Sequence, residues 1–167
     1  LLETLADSEL QEVWKDDTTL GWLYQYWNDP DRKAVDDKLN NTTGKVEAHE
    51  LANKTQLFTE RYMVEWLVQN SLGAQWLAIC SKNGWQTKAI SILDVLQKKR
   101  ENWQNPKEAI PIDGDEEYWK YYVNQELSAE TIEAAPSCLE NVKLLDPAMG
   151  SGHFLVYLFD FLWELYT

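Results

Sequence analysis

The feature that most constrains what this chain can fold into lies near its end. There the apolar run Val142-Lys143-Leu144-Leu145 meets the turn Asp146-Pro147-Ala148-Met149-Gly150-Ser151-Gly152, followed by the strongly apolar stretch His153–Tyr166. A short apolar run bounded by turn residues suits a buried strand, and the long aromatic stretch suits a helix. Together they predict one strand–loop–helix unit, the opening of an α/β sheet. A single strand cannot make a sheet, and the predicted apolar face of Phe154, Leu155, Leu158, Phe159, Leu162 and Trp163 would need partners. The expectation is therefore an excised segment of a longer protein.

The turn also has chemistry. Gly150 and Gly152 allow the backbone to approach a ligand with no Cβ in the way. The helix start then offers amides, expected from Gly152, His153 and Phe154, and a positive dipole end, which favour an anionic group. Asp146 adds a carboxylate, which suits an ammonium and not a phosphate. The combination fits a zwitterionic amino-acid moiety, which S-adenosylmethionine carries and ATP lacks. The dinucleotide fingerprint G-x-G-x-x-G fails because Leu155 occupies its third glycine position, and no Gly-Lys-Ser/Thr follows for a P-loop.

Upstream, the chain reads as helices. Leu10, Val13 and Trp14 form one apolar face, and a second helix carries Leu20, Trp22, Leu23, Tyr24 and Trp27. Caps are offered by Asp17-Thr18-Thr19, and Asn28-Asp29-Pro30 is the expected stop. A third helix is predicted over Asp31–Leu39, with Asn40–Gly44 a loop. Thr59 can cap a helix whose face is Tyr62, Met63, Trp66 and Leu67. Gly73 marks an end or bend, and Gly84 is the favoured stop. Another helix is predicted near Thr87–Trp103, with Lys98-Lys99-Arg100 near its C-terminal end, where cations suit the dipole and also DNA phosphates. Residues 104–117 read as an acidic loop, with helices over Tyr118–Leu127 and Ser128–Ala134.

Composition narrows the class. Of 167 residues, 44% are hydrophobic and 13% aromatic, which excludes a disordered chain. No apolar run is long enough to span a membrane, and Leu1-Leu2-Glu3 does not open a signal peptide. Cys80 and Cys138 make neither a disulfide framework nor a metal site, so a reducing cytoplasm is expected, with both cysteines acting as buried small apolar groups. His49 is expected to be solvated between Glu47 and Glu50, and His153 to act through its backbone. No cluster of Cys, His and carboxylates has metal-ligand spacing. Helical spacing favours core packing for the tryptophans over nucleic-acid stacking. The net charge of −13 is the wrong sign for gripping phosphates; only residues 45–107, with 9 basic and 6 acidic groups, are positive.

The string Asp146 to Phe154 resembles motif I of the adenine-N6 and cytosine-N4 amino-methyltransferases. Upstream, Thr55-Gln56-Leu57-Phe58-Thr59-Glu60-Arg61-Tyr62 is similar to the Phe-Thr-Pro segment of motif X, with Glu60 in place of the proline. Leu20–Trp27 and Val68–Gly73 look like the helical region ahead of motif I in large single-chain adenine methyltransferases of restriction–modification and phage-exclusion (BREX-like) systems. The resemblance covers most of residues 10–80 and 140–160, while 81–139 carries no assignable motif.

This resemblance implies a mainly α chain, a helical N-terminal region leading into the first strand–loop–helix unit of a Rossmann-like methyltransferase domain. The implied boundaries are 1–54 for the helical region, 55–141 for the motif X helix and a helical insert, and 142–167 for the start of the cofactor-binding domain. It implies S-adenosyl-L-methionine as cofactor, with contacts from Phe58, Thr59, Asp146, Pro147, Ala148, Gly150, Ser151, Gly152, His153 and Phe154. The implied partner is double-stranded DNA, gripped mostly outside this chain, and defence-system subunits are further candidates. The family's catalytic Asn/Asp-Pro-Pro-Tyr/Phe, which holds a flipped adenine, occurs nowhere here. Asn28-Asp29-Pro30-Asp31 and Asn105-Pro106-Lys107-Glu108 are distant echoes. No catalytic residue is expected in the chain, and alone it should be inactive. The alternative is a helical protein–protein interaction module, to which the nine tryptophans would lend an interface.

Overall fold

The structure, a computed structural model, describes residues 8–166 except 17, 43, 56 and 106. The cap expected at Asp17, and Gln56 and Pro106 in the segments above, therefore lie outside the described residues. The described residues are mainly helical and include no strand. They divide into two compact units: residues 1–61 with 146–156, and residues 62–145 with 157–167.

In the first unit a 3-10 turn, Ser8–Leu10, precedes four helices: α1 Gln11–Lys15, α2 Thr19–Trp27, α3 Asp29–Asn41 and α4 Leu51–Thr55. Asp16 organises the start of α2, its carboxylate accepting from the Thr18 amide at 2.8 Å and the Thr18 hydroxyl at 2.6 Å. Asn28 closes α2, its side-chain amide donating to the Tyr24 carbonyl at 2.9 Å. Pro30 then falls in the first turn of α3, where its missing N–H is no loss. The predicted stop is thus also a start, and α3 begins two residues earlier than expected and runs to Asn41. Asp29 pairs there with Lys33 at 2.6 Å and with Arg32. The Lys33 hydrogen bond is the main cause that holds the Asp29 carboxyl below its ordinary range. α3 and α4 are tied by ion pairs. Lys38 reaches Glu50 at 2.9 Å and Glu47 at 3.0 Å, and Lys54 pairs with Asp36. Val35 is buried, whereas Val13 and Trp14, expected on a packed face, remain exposed. His49 is exposed, 3.6 Å from Glu47.

The second unit is built on α5, Arg61–Asn83, from Tyr62 onward. Its other parts are α6 Lys88–Asn102, a 3-10 helix Gly114–Trp119, α7 Ala129–Ala134, a 3-10 turn Leu139–Asn141, and residues 157–166 of α8, His153–Tyr166. Gly84 ends α5 with φ +67°, as its sequence position implies. Gly73 does not: α5 runs through it. A Cβ there would lie 3.0 Å from the Trp119 ring and 3.4 Å from Phe161, so its smallness admits two aromatic side chains. The expected face of Tyr62, Met63, Trp66 and Leu67 is exposed, and the buried stripe is Val64, Val68, Leu72, Trp76 and Ile79. Both stripes have helical spacing because α5 is apolar on more than one side.

Residues 120–128 are not the predicted helix. Their backbone is claimed instead by two side chains of α5. Gln69, wholly buried, accepts from the Tyr121 amide at 2.7 Å and donates to the Tyr157 hydroxyl at 2.8 Å. Asn70 donates to the Tyr121 carbonyl and accepts from the Val123 amide, both at 2.8 Å. The two amides serve 121–123 as a neighbouring strand would. Lys99 and Arg100 have local duties too. Lys99 bonds Glu116 at 2.6 Å and the Pro111 carbonyl at 3.1 Å, and Arg100 bonds the Lys120 carbonyl at 2.9 Å. α7 is capped by Ser128, which accepts from the Thr131 amide at 3.1 Å.

Two further expectations fail. Val142–Leu145 forms no strand: it has no ladder partner among the described residues, and Leu145 is 88% exposed. The face that α8 buries is Tyr157 and Phe161, while Leu155, Phe159 and Trp163 stay exposed. Nor are the tryptophans mainly core. Trp76 and Trp119 are buried, but Trp14, Trp27, Trp66, Trp85 and Trp163 are exposed. Cys80 is fully buried, which pushes its thiol pKa up, and Cys138 is half-buried. Among the described residues no helix is long and apolar enough to cross a membrane.

Candidate functional site

The glycine turn folds as its sequence demands. Gly150 has φ +55° and Gly152 φ +84°, both in the left-handed region that penalises a side chain. Asp146 accepts from the Ala148 amide at 2.9 Å, an Asx turn that starts the bend. Gly152 donates to the Met149 carbonyl at 2.8 Å and accepts from Val156 at 3.0 Å, so its N–H closes the turn. The first amides of α8, His153 and Phe154 among them, have no carbonyl one helical turn back to bond. A Cβ built on Gly152 would meet nothing within 4 Å, leaving that side of the turn open.

Far away in sequence, Leu57-Phe58-Thr59 comes to the same turn within the first unit. A cavity of about 490 Å³ lies between them, lined on one side by Phe58 and Thr59 and on the other by Ala148, Met149, Gly150, Ser151 and His153. Of the ten residues anticipated at a cofactor, six line this cavity: Phe58, Thr59, Ala148, Gly150, Ser151 and His153. Asp146, Pro147, Gly152 and Phe154 are not on its wall; Asp146 and Gly152 shape the turn behind it.

Residues that sequence reading did not single out complete the wall. Gly21 and Tyr24 of α2 line the cavity with Thr55. Gly21 is buried, and a Cβ on it would overlap the Phe58 ring. The Phe58 ring lies 4.9 Å from the Trp22 ring and 4.4 Å from the His153 ring, centroid to centroid. The Phe58 amide donates to Gln25 at 2.6 Å. The sole sequence signal for Gly21 is a glycine inside an otherwise apolar helix, where it costs about 1 kcal/mol relative to alanine and so implies a packing need. His153 uses its side chain as well, Nε2 standing 3.0 Å from the Thr59 carbonyl.

The site offers a glycine turn, an aromatic wall, and a helix start. Its volume falls in the usual range for small-molecule sites, about 300–1,000 Å³. Among the described residues no group of three His, Cys, Asp or Glu side chains is placed to hold a metal ion.

Two curated proteins are similar to the chain across most of its length. The adenine-specific methyltransferase PglX of Lacticaseibacillus casei (strain Zhang) is 31% identical over 147 residues, 88% of this chain and 10% of that protein. The adenine-specific methyltransferase BrxX of Escherichia coli O9:H4 (strain HS) is 32% identical over 168 residues, 99% of this chain and 11% of that protein. The chain thus spans about a tenth of the length of these relatives. No protein-family model matches it. No solved structure matches it either.

Proposed function

We propose, from the sequence kinship of this chain with adenine-specific methyltransferases, that its first unit forms part of an S-adenosylmethionine pocket. The parent protein would methylate adenine N6 in DNA, within restriction–modification or phage defence in the cytoplasm. The observation that carries the reading is the meeting of Phe58-Thr59 with the turn Ala148–His153 around one cavity. These are the two segments with independent motif resemblances, and they line the same cavity.

The residues present fit such a cofactor. Gly150 and Gly152 keep side chains off the turn, the start of α8 suits a carboxylate, and Phe58 gives an apolar surface for a base or ribose. Asp146 holds the turn in place through the Ala148 amide. When bound, S-adenosylmethionine supplies an electrophilic methyl group on a sulfonium. The chain's own residues bind and orient; none removes a proton from adenine. The chain alone is therefore expected to be inactive, with residues 142–167 opening the cofactor-binding domain. With a net charge of −13, phosphate contacts would come mostly from elsewhere in the parent.

Calorimetry on a longer piece of the parent protein, reaching the catalytic tetrapeptide, tests this. Micromolar binding of S-adenosylmethionine is expected, weakened at least tenfold by Asp146→Ala, which removes the Asx turn that shapes the cavity wall, about 1.4 kcal/mol or more. Absence of binding would overturn the reading. A second reading, an interaction module for other defence subunits, is favoured by one observation: Tyr62, Met63, Trp66, Leu67 and Tyr121 line an apolar groove of about 440 Å³ in the second unit. Lack of cofactor binding, together with loss of complex assembly in Trp66→Ala, would favour it.

A further inference from the structure

His153 does more in the first unit than supply an amide to a helix start. Its Nε2 lies 3.0 Å from the Thr59 carbonyl oxygen. A carbonyl only accepts, so Nε2 carries the proton. Its Nδ1 stands 3.4 Å from Ser151 Oγ, whose hydroxyl donates to a bare Nδ1. The ring lies against Phe58, centroid to centroid 4.4 Å. Phe58 is held on its other sides by the gap over Gly21, the Trp22 ring and the Gln25 carboxamide. His153, Phe58, Thr59 and Ser151 all line the same cavity.

The geometry points to His153 as a positioning residue, whose imidazole latches the 57–59 wall to the glycine turn and sets the width of the cavity between them. Nothing else among the described contacts joins Thr59 to the turn: Trp22, Gln25 and Gly21 hold Phe58 from the α2 side alone. The latch needs a donor at the far ring nitrogen. Both the neutral Nε2–H tautomer and the imidazolium provide one, with Ser151 changing from donor to acceptor when Nδ1 gains a proton. The tautomer protonated only at Nδ1 opens the latch by setting a ring lone pair against the Thr59 oxygen.

Two arms test this, and only the second rests on the cofactor reading. In the first, ¹⁵N NMR of ligand-free protein should show the neutral His153 ring protonated at Nε2 and bare at Nδ1. His153→Gln keeps a donor at about the reach of Nε2, whereas His153→Asn places its donor near Nδ1. The Thr59 and Phe58 resonances should stay near wild type in the Gln variant and shift in the Asn variant. An Nδ1–H tautomer, or unchanged Thr59 and Phe58 signals in the Asn variant, overturns the latch. In the second, S-adenosylmethionine should bind the Gln variant within about threefold of wild type and the Asn variant about tenfold more weakly, the worth of one hydrogen bond. The melting temperatures of both variants should stay close to wild type. Equal affinity in all three proteins overturns the positioning role. If wild type binds no cofactor, the functional reading falls, while the tautomer and the Thr59 signals still decide the latch.

Discussion

Gly21 shows how one missing methyl group shapes the site. Alanine in a helix interior is ordinarily favoured over glycine by about 1 kcal/mol. At Gly21 the sign should reverse, because the Phe58 ring occupies the space a Cβ would need. Gly21→Ala is expected to destabilise the first unit by about 1–3 kcal/mol, as overpacking does, and to displace Phe58 into the cavity. Thermal denaturation and the Phe58 ring resonances would check both outcomes; an unchanged or raised melting temperature would refute the close packing. At this scale the sequence shows the turn glycines, since Gly150 and Gly152 sit where a positive φ is needed. It hides Gly21, Gln25 and the His153 ring, whose partners lie far along the chain. A helical glycine says that space is needed, without saying for which ring.

At the scale of elements, helices are easier to read than their faces. Periodicity locates α2, α5, α6 and α8, and the helix read over Ser128–Ala134 matches α7. It misassigns the buried sides of α5 and α8, because both are apolar on more than one side and tertiary packing chooses among the stripes. The helix expected over 118–127 stops at Trp119, the end of a 3-10 helix, and no strand forms over 142–145 among the described residues. Backbone groups take whichever partner folding supplies, and for 121–123 that partner is a pair of side-chain amides on α5. Asn70→Leu removes both of its bonds to this stretch and leaves the Val123 amide and Tyr121 carbonyl without them. A loss of about 2–4 kcal/mol is expected in urea denaturation. Asn70→Asp, which keeps the acceptor for Val123, should lose less. Equal losses would mean that the Val123 contact contributes nothing.

For the whole molecule, pH is the natural probe, since 28 acidic groups face 15 basic ones. Glu50 is held below its ordinary value of 4.5, chiefly by the Glu47 amide and then by Lys38. Asp29 is held below 3.8, chiefly by Lys33. A carboxyl with a depressed folded pKa stabilises above its unfolded value and loses that contribution as pH falls through the folded one. The first unit should therefore weaken progressively below pH 4.5. Lys38, Lys88 and Lys99 are raised above 10.5, each chiefly through a carboxylate hydrogen bond. Burial raises Tyr122 above 10.0. The lysine contributions hold below 10.5 and fade as pH climbs through the raised values, so stability should also fall in strong alkali, above about pH 10. A melting curve flat from about pH 3 to 11 would contradict both assignments. The same unit is discontinuous in sequence, residues 1–61 returning to 146–156, and Thr59 meets His153 across 94 positions. Translation at about 5–20 residues per second therefore separates the emergence of the two walls by roughly 5–20 s. Throughout that interval the Phe58 side chain has left the ribosome with no glycine turn to meet it, so nascent chains stalled in this window should expose that ring to a chaperone or a protease.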